Sequence, residues 1–369
     1  MKLAVVGLGT MGLGIVQVFA AAGFDVLATD ADAAARASAQ MRLGVAWAGR
    51  VDKGAMTAAA RIAALARVKV VGALVGLAGV DLVIEAIAER LEVKQGLFAA
   101  LEGVVARGAV LATNTSSLSV GAVAAGLREP GRVVGLHFFN PAPVMKLVEL
   151  VAHEGSDAAA LDVARRAVEA AGKVVIACPD RPGFVVNRCA RPFYGEALAM
   201  LEEGRAAGEM DAALRAAGYR IGPLALIDLI GADVHLAASE GVWRGMAMHP
   251  RYHVFDVLRA QVAAGRLGRK SGVGFVVPGE VGTVPLDAAE IALRIEATLV
   301  NEALWLLAEG GVTAADIDLG LRLGLNFPRG PGEMVERWGL GRIKAVLDGL
   351  EAAAPGHLNG RYEVAPGLR

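Results

Sequence analysis

Residues 2–21 limit the possible folds more than any other stretch. The run "KLAVV" (2–6) is short, apolar and rich in valine, "GLGTMG" (7–12) follows at once, and "LGIVQVFAA" continues with the apolar density of a buried helix. Strand, glycine turn and helix in that order open a βαβ unit. Gly7 permits the tight turn, Gly9 lets backbone approach a pyrophosphate, and Gly12 allows close helix packing, while the first helical amides face the diphosphate. Thr10 and Met11 belong to the same binding segment. The next apolar run, "FDVLATD", ends on Asp30, where a carboxylate accepts hydrogen bonds from both ribose hydroxyls of an adenosine. A 2′-phosphate would meet a like charge there, so the pattern selects NAD over NADP. The alternative is a glycine turn in an unliganded α/β protein; strand, helix and acid together weigh against it. The same opening has the lysine and apolar run of a secretory signal, but its glycine spacing argues otherwise.

Further apolar runs lie at 80–87, 109–116, 133–139, 145–151 and 173–178, most of them separated by helical patterns. Continuous Val/Ile/Leu runs flanked by helices mark strands covered on both faces. A mostly parallel, doubly wound sheet is therefore expected for an NAD-binding, Rossmann-like α/β domain over 1–178, with "PDRPG" (179–183) as the break. Beyond Gly183 the spacing is helical, which predicts an all-α C-terminal region. That region repeats itself: Arg188, Glu196, Glu203, Asp211, Gly222-Pro223 and Gly231 recur as Arg294, Glu302, Glu309, Asp318, Gly330-Pro331 and Gly339. Two tandem helical units follow, at 179–281 and 282–369, with the glycine-rich 265–283 read as a connector.

With 37 basic and 38 acidic residues and no long run of one sign, nucleic acid is an unsuitable partner. No segment other than the glycine-broken opening approaches a membrane span, so a soluble protein is expected. Two cysteines, Cys178 and Cys189, are too few for a disulfide framework and fit a reducing cytoplasm. His249 and His253 have helical ligand spacing, but Pro250 lies between them and no carboxylate or thiol set accompanies them, so no metal is expected.

The glycine fingerprint alone leaves many dehydrogenases open. The β-hydroxyacid group shares the GLGxMG opening but depends on a lysine and asparagine four apart, and "RPGFVVNRCARPF" (181–193) offers no such lysine. That stretch, with "NTSSLS" (114–119), "GLHFFNPAPVMKLVEL" (135–150), "IGPLALIDLIGADVHLA" (221–237) and "GRLGRKSGVGF" (265–275), resembles the L-3-hydroxyacyl-CoA dehydrogenase family, and the likeness covers almost the whole chain. The extra helical unit is similar to bacterial members with two copies of the C-terminal domain.

The resemblance implies NAD-dependent, reversible oxidation of L-3-hydroxyacyl-CoA to 3-oxoacyl-CoA in fatty-acid or related acyl-CoA degradation. His137 matches the family's general base and Glu149 the carboxylate that orients it. Imidazole suits the role because it titrates near neutral pH. Without the motif, a buried hydrogen-bonded core pair is the rival reading. Ser116 and Asn187 match groups that contact the substrate oxygen; taken singly, they read as a helix cap and a polar helix position. Asn140, Glu89, Lys94 and Lys270 match cofactor-side positions, with ordinary surface or turn roles as rivals. Lys53 is the best positional match for the coenzyme A phosphates, ahead of Arg42 and Arg50. The second helical copy has Leu293 where the first has Asn187, so the duplication makes no second active site. Ala225 stands where many relatives have glutamate, while Glu333 is kept in the second copy. Two other functions stay open: a related dehydrogenase of a non-CoA hydroxy acid, of gulonate type, and a non-catalytic NADH-binding structural protein. Single-copy relatives pair their helical domain with another subunit, so this chain is expected as a monomer or homodimer.

Overall fold

The computed structural model describes residues 1–279 and 282–368. It divides into two compact units, Met1–Phe184 and Val185–Arg369. The sheet unit thus extends six residues beyond the boundary expected at 178, because β-structure runs to Pro179 and the turn after it stays with the sheet. The boundary expected at 281/282, like Arg369, falls outside the described residues.

The first unit is an eight-stranded sheet: β1 (Lys2–Val6), β2 (Asp25–Thr29), β3 (Val68–Val70), β4 (Leu82–Glu85), β5 (Val110–Thr113), β6 (Val133–Phe138), β7 (Leu147–Ala152) and β8 (Val174–Pro179). Their order is β3-β2-β1-β4-β5-β6-β7-β8, parallel except for the β6–β7 pair. Helices α1 (Thr10–Ala21), α2 (Ala33–Asp52), α3 (Ala58–Ala66), α4 (Leu91–Glu102), α5 (Val120–Ala124) and α6 (Ala158–Ala170) accompany it. Successive strands are added in one direction from β1 to β3 and in the other from β4 onward, so the glycine turn after β1 opens at the topological switch point where doubly wound sheets bind ligands. Seven strands fall on apolar runs visible in the sequence. β3 does not: it is three residues long with the exposed Lys69 at its centre, too short to show a period.

The core explains the helix faces. Val5, Leu82, Ile84, Ala112, Val134, Leu136, Val148 and Leu150 share one buried cluster with Ile15, Val16 and Phe19 of α1 and Ala164, Ala167 and Val168 of α6. Side chains alternate along a strand. Leu136 and Leu150 therefore take this cluster, and residues 137 and 149 point to the other face.

The second unit is helical: α7 (Val186–Cys189), α8 (Arg191–Glu202), α9 (Ala207–Ala216), α10 (Pro223–Ile230), α11 (Ala232–Gly245), α12 (Asp256–Ala263), α13 (Ala288–Ala308), α14 (Ala314–Leu325), α15 (Pro331–Trp338) and α16 (Leu340–Ala353). Two sets of charges face each other reciprocally. Arg188 binds Glu302 (2.7 Å) and, with both terminal nitrogens, Glu309 (2.7 and 2.6 Å). Arg294 binds Glu196 (2.8 Å) and Glu203 (2.6 and 2.6 Å). Tyr252 adds a hydroxyl to Glu302, and Tyr362 one to Glu196.

The stretch read as a glycine-rich connector is tied down. Asp228, buried at the end of α10, accepts the amides of Phe275, Val276 and Val277, and a Cβ on Gly268 or Gly274 would collide with it at 2.3 and 2.0 Å. Glycine there serves close approach to Asp228, to its backbone at Gly268 and to its carboxylate at Gly274, rather than slack. No helix among the described residues is long and apolar enough to cross a membrane.

Candidate active site

Of the three glycines in the turn, the first and third are required. Gly7 has φ +100°, and a Cβ there would sit 2.4 Å from the Ala86 carbonyl oxygen. A Cβ on Gly12 would lie 1.8 Å from the Gly7 oxygen, so only glycine lets α1 start against the turn. Gly9 is different: it caps α1 without a side chain, and nothing lies within 4 Å of where its Cβ would be. The first turn of α1 contains no acidic residue, so its amides, Thr10 and Met11 among them, suit an anion. Thr10 is exposed, whereas Met11 is half-buried against the core. Asp30 braces the turn, accepting the Leu8 amide at 2.6 Å and the Asp32 amide at 2.9 Å. These residues fit an adenine dinucleotide: a cradle open at Gly9, helix amides toward the diphosphate, and one carboxylate beside the turn.

His137 and Glu149 are directly opposed in the antiparallel β6–β7 register. Such pairs share a face with their side chains adjacent. The imidazole Nδ1 lies 2.6 Å from Glu149 Oε2; both residues are buried, and Phe139 and Phe184 flank the ring at 4.6 and 5.9 Å. A carboxylate oxygen only accepts, so Nδ1 carries the hydrogen, and in the neutral imidazole Nε2 then keeps its lone pair. Gly135 lies on the same face, where a Cβ would press on Val151 and Val120, so the glycine lets α5 close over the sheet beside the pair.

A second network holds the turn that carries Ser116. Glu89 Oε1 accepts from Thr115 Oγ1 (2.6 Å), the Ser116 amide (2.9 Å), and Ser117 through its hydroxyl (3.0 Å) and amide (3.2 Å). Burial alone would raise the Glu89 pKa, but the Lys94 ammonium and these hydrogen bonds outweigh it and hold the carboxyl below its ordinary value. Lys94 is not presented to solvent. It is 1% exposed, with Nζ 2.6 Å from Glu85 and 3.2 Å from Glu89. Glu85 is itself fully buried and also accepts the Thr113 hydroxyl and the Ile87 amide. Sequence reasoning missed Glu85, although a lone charge inside the apolar run "LVIEAI" is the same signal that marked Glu149. Also missed was Asn114, whose side chain accepts the Phe138 amide beside His137.

Asn140 is exposed in the loop joining β6 to β7. A residue not singled out from sequence anchors that loop: Lys173 Nζ donates to the carbonyls of Ala142 and Met145, both at 2.6 Å. On its other side the loop meets α1, where a Cβ on Gly14 would come within 3.2 Å of the Ala142 methyl. Burial, with the Arg50 charge, pushes the Lys173 pKa down to about 8. Between about pH 8 and the ordinary lysine value the unfolded chain binds the extra proton, so stability contributed at this site rises with pH across that window. The melting temperature of the wild type minus that of Lys173→Met is expected to widen from pH 7 to pH 10. A flat or narrowing difference would refute the assignment.

The remaining expected residues are placed as follows. Lys53 is exposed at the C-terminus of α2, while Arg42 donates to the Leu8 carbonyl at 2.9 Å instead of reaching outward. In the second unit, Asn187 lies in α7 and Lys270 forms an ion pair with Asp233.

Comparison with known proteins agrees with this geometry. The family profile described as 3-hydroxyacyl-CoA dehydrogenase, NAD binding domain, matches residues 2–181, and that of the 3-hydroxyacyl-CoA dehydrogenase C-terminal domain matches 183–277 and 291–366. The chain is 46% identical over 274 residues to 3-hydroxyadipyl-CoA dehydrogenase of Escherichia coli (strain K12), a match covering 74% of this chain and 58% of that protein's length. It is 37% identical over 277 residues to 3-hydroxybutyryl-CoA dehydrogenase of Clostridioides difficile, covering 74% and 98%. The crystal structure of 3-hydroxybutyryl-CoA dehydrogenase from Escherichia coli K12 superposes with a TM-score of 0.94 at 34% identity, covering 100% of this chain and 97% of that one. A glycine cradle for NAD on a doubly wound sheet, followed by a helical unit of matching profile, places the chain in the family of NAD-dependent 3-hydroxyacyl-CoA dehydrogenases.

Proposed function

We propose that this chain interconverts L-3-hydroxyacyl-CoA and 3-oxoacyl-CoA with His137 as general base and Glu149 as the group that orients it. The observation carrying this reading is the 2.6 Å contact between Nδ1 and Glu149 across paired strands, which leaves Nε2 as the acceptor. NAD, when bound, supplies the hydride acceptor. His137 Nε2 takes the hydroxyl proton as the C3–H bond breaks and the carbonyl forms, and Glu149 stabilises the resulting imidazolium. Ser116, positioned by Glu89, and Asn187 donate to the substrate oxygen, polarising it without competing for the proton. Glu89, Asn140 and Lys270 lie on the cofactor side in this reading; Lys94, being buried, acts by holding Glu89. Lys53 is the proposed contact for the coenzyme A phosphates. A cytoplasmic location agrees with a chain that has only two cysteines, Cys178 and Cys189, both buried.

By their names the two curated relatives act on 3-hydroxyadipyl-CoA and 3-hydroxybutyryl-CoA, so the acyl-CoA class is common to both while the chain is not. Consumption of NADH with acetoacetyl-CoA and longer 3-oxoacyl-CoA thioesters, against free hydroxy or oxo acids as controls, tests the proposal. Asp30→Ala is expected to raise the KM for NAD by about tenfold or more, the size of a hydrogen bond to a charged group, with a much smaller change for NADP. Equal loss with both cofactors would reduce Asp30 to a brace for Leu8.

We also infer that the second unit is a duplicated module closed on itself. In support, the sequence offset that relates Arg188 to Arg294 relates the glutamates each binds, and the pairing is reciprocal, as in an isologous two-fold contact. Arg251-Tyr252 and Arg361-Tyr362 extend the correspondence: the first pair meets Glu302, the second Glu196.

A further inference from the structure

Among the described residues of the second unit, one cation withdrawn from the surface lacks a carboxylate partner, whereas the unpaired Arg215, Arg220, Arg266, Arg269 and Arg342 are exposed. Arg188, Arg251, Arg294, Arg329 and Arg361 each reach a buried glutamate. Arg191, the first residue of α8, has no carboxylate within 4.0 Å among the described residues. Its Nε donates to the Asn187 carbonyl (3.0 Å), one terminal nitrogen donates to Ser239 Oγ (3.0 Å), and the guanidinium lies over Tyr194 at 5.2 Å from the ring centre. The residue is only partly exposed, and burial pushes its pKa below the ordinary value with only Tyr194 acting against that. A charge withdrawn from water without a counter-ion is unfavourable, so a site that keeps one is complementary to an anion.

The surroundings narrow the anion. Arg191, Tyr194, Leu198, His235, Ser239 and Leu258 line one small cavity, polar at the guanidinium and apolar at the leucines. Arg251 and Arg361 also border it, but their charges are taken up by Glu302 and Glu196. His235 adds no charge: burial, and then the Arg191 charge, hold its pKa well below the ordinary value. Arg191 lies four residues after Asn187 and its Nε reaches the Asn187 carbonyl at 3.0 Å, so the guanidinium stands beside Asn187. Three extended single bonds span about 3.8 Å, and a hydrogen bond at each end adds to that reach. An acyl chain whose C3 oxygen rests on Asn187 would therefore bring a carboxylate at C6 to the guanidinium. The phosphates of coenzyme A lie beyond the thioester, on the opposite side of C3.

We infer that Arg191 is a specificity-determining residue that binds a second, distal carboxylate of the acyl chain, making 3-hydroxydicarboxylyl-CoA thioesters the preferred substrates. This rests on the acyl-CoA reading above and on Asn187 meeting the substrate oxygen. Planar, two-pronged arginine suits a carboxylate, and a pair held away from water discriminates strongly against a chain that leaves the charge unmet.

The test compares 3-oxoadipyl-CoA, 3-oxohexanoyl-CoA and acetoacetyl-CoA as NADH-consuming substrates of the full chain and its Arg191→Met and Arg191→Lys variants. The wild type is expected to favour the dicarboxylyl thioester over its neutral counterpart of equal length by tenfold or more in kcat/KM. Arg191→Met should lower that ratio about 10- to 100-fold, chiefly through KM, and Arg191→Lys should restore part of it. A wild type that favours the neutral chain overturns the inference, as does an Arg191→Met variant that loses equally on all three thioesters, which would assign the cation to coenzyme A or to packing. If Arg191→Met does not fold, the wild-type ratio and Arg191→Lys decide. No turnover with any thioester would overturn the dehydrogenase reading itself.

Discussion

His137→Gln is expected to lower kcat by roughly 10²–10⁴-fold, the usual contribution of a positioned general base, while NADH binding stays near normal. Glutamine is close to histidine in size and leaves a polar group against Glu149, so Phe139 and Phe184 keep a packed neighbour and the sheet register is unaffected. What it lacks is a basic nitrogen at the Nε2 position. Stopped-flow or steady-state NADH consumption gives the rate, and quenching of intrinsic fluorescence by NADH gives the binding. The glycine cradle and Asp30 lie at β1 and β2, away from the β6–β7 pair, which is why the two readouts should separate. Turnover within a few-fold of wild type would exclude His137 as the base, and loss of both activities together would make it a structural residue.

The parts of this site that were legible in the sequence are those where chemistry breaks a pattern. Gly7 and Gly12 punctuate the first strand and helix, Asp30 ends the second strand, and His137 and Glu149 interrupt apolar runs; each break has a structural counterpart in a collision-free turn, a braced amide or a cross-strand contact. Residues that act by holding backbone were harder to see. Lys173, Asn114 and Asp228 bind carbonyls or amides that are distant in sequence, and any polar residue near a strand or helix end looks the same until the chain is folded. Lys94 shows the opposite limit. Its match to a cofactor-side position gave no hint that its ammonium is consumed by Glu85 and Glu89. The reciprocal charges of the helical unit were visible as a repeat, but the Arg-Tyr pairs at 251 and 361 lay outside the spacing followed from Arg188 and escaped notice.

Those charges lead to the largest expected loss of stability. Arg188→Met should destabilise the chain by about 3 kcal/mol or more, the lower part of the range for breaking a buried ion pair. The Arg188 side chain is fully buried; Glu302, 2% exposed, would be left with only Tyr252 at 2.5 Å and Arg251 at 3.3 Å, and Glu309 would lose a two-pronged partner. Burial alone would lower the Arg188 pKa, yet Glu309 and Glu302 hold it above the ordinary value, so the charge is kept by its partners. The reciprocal change, Arg294→Met, should cost less, about 1–2 kcal/mol, because Arg294 is 18% and Glu203 51% exposed, so water can take over part of their role. For a chain with a helical unit of this size the first change corresponds to a fall in melting temperature of roughly 6–12 °C. Arg188→Met combined with Glu302→Gln should recover part of the loss, since the second change removes the stranded charge, and the coupling in that double-mutant cycle measures it. Equal losses at 188 and 294 would mean that burial does not govern these pairs, and a double variant whose loss equals the sum of the two single losses would mean that Glu302 is held by Arg251 and Tyr252 rather than by Arg188.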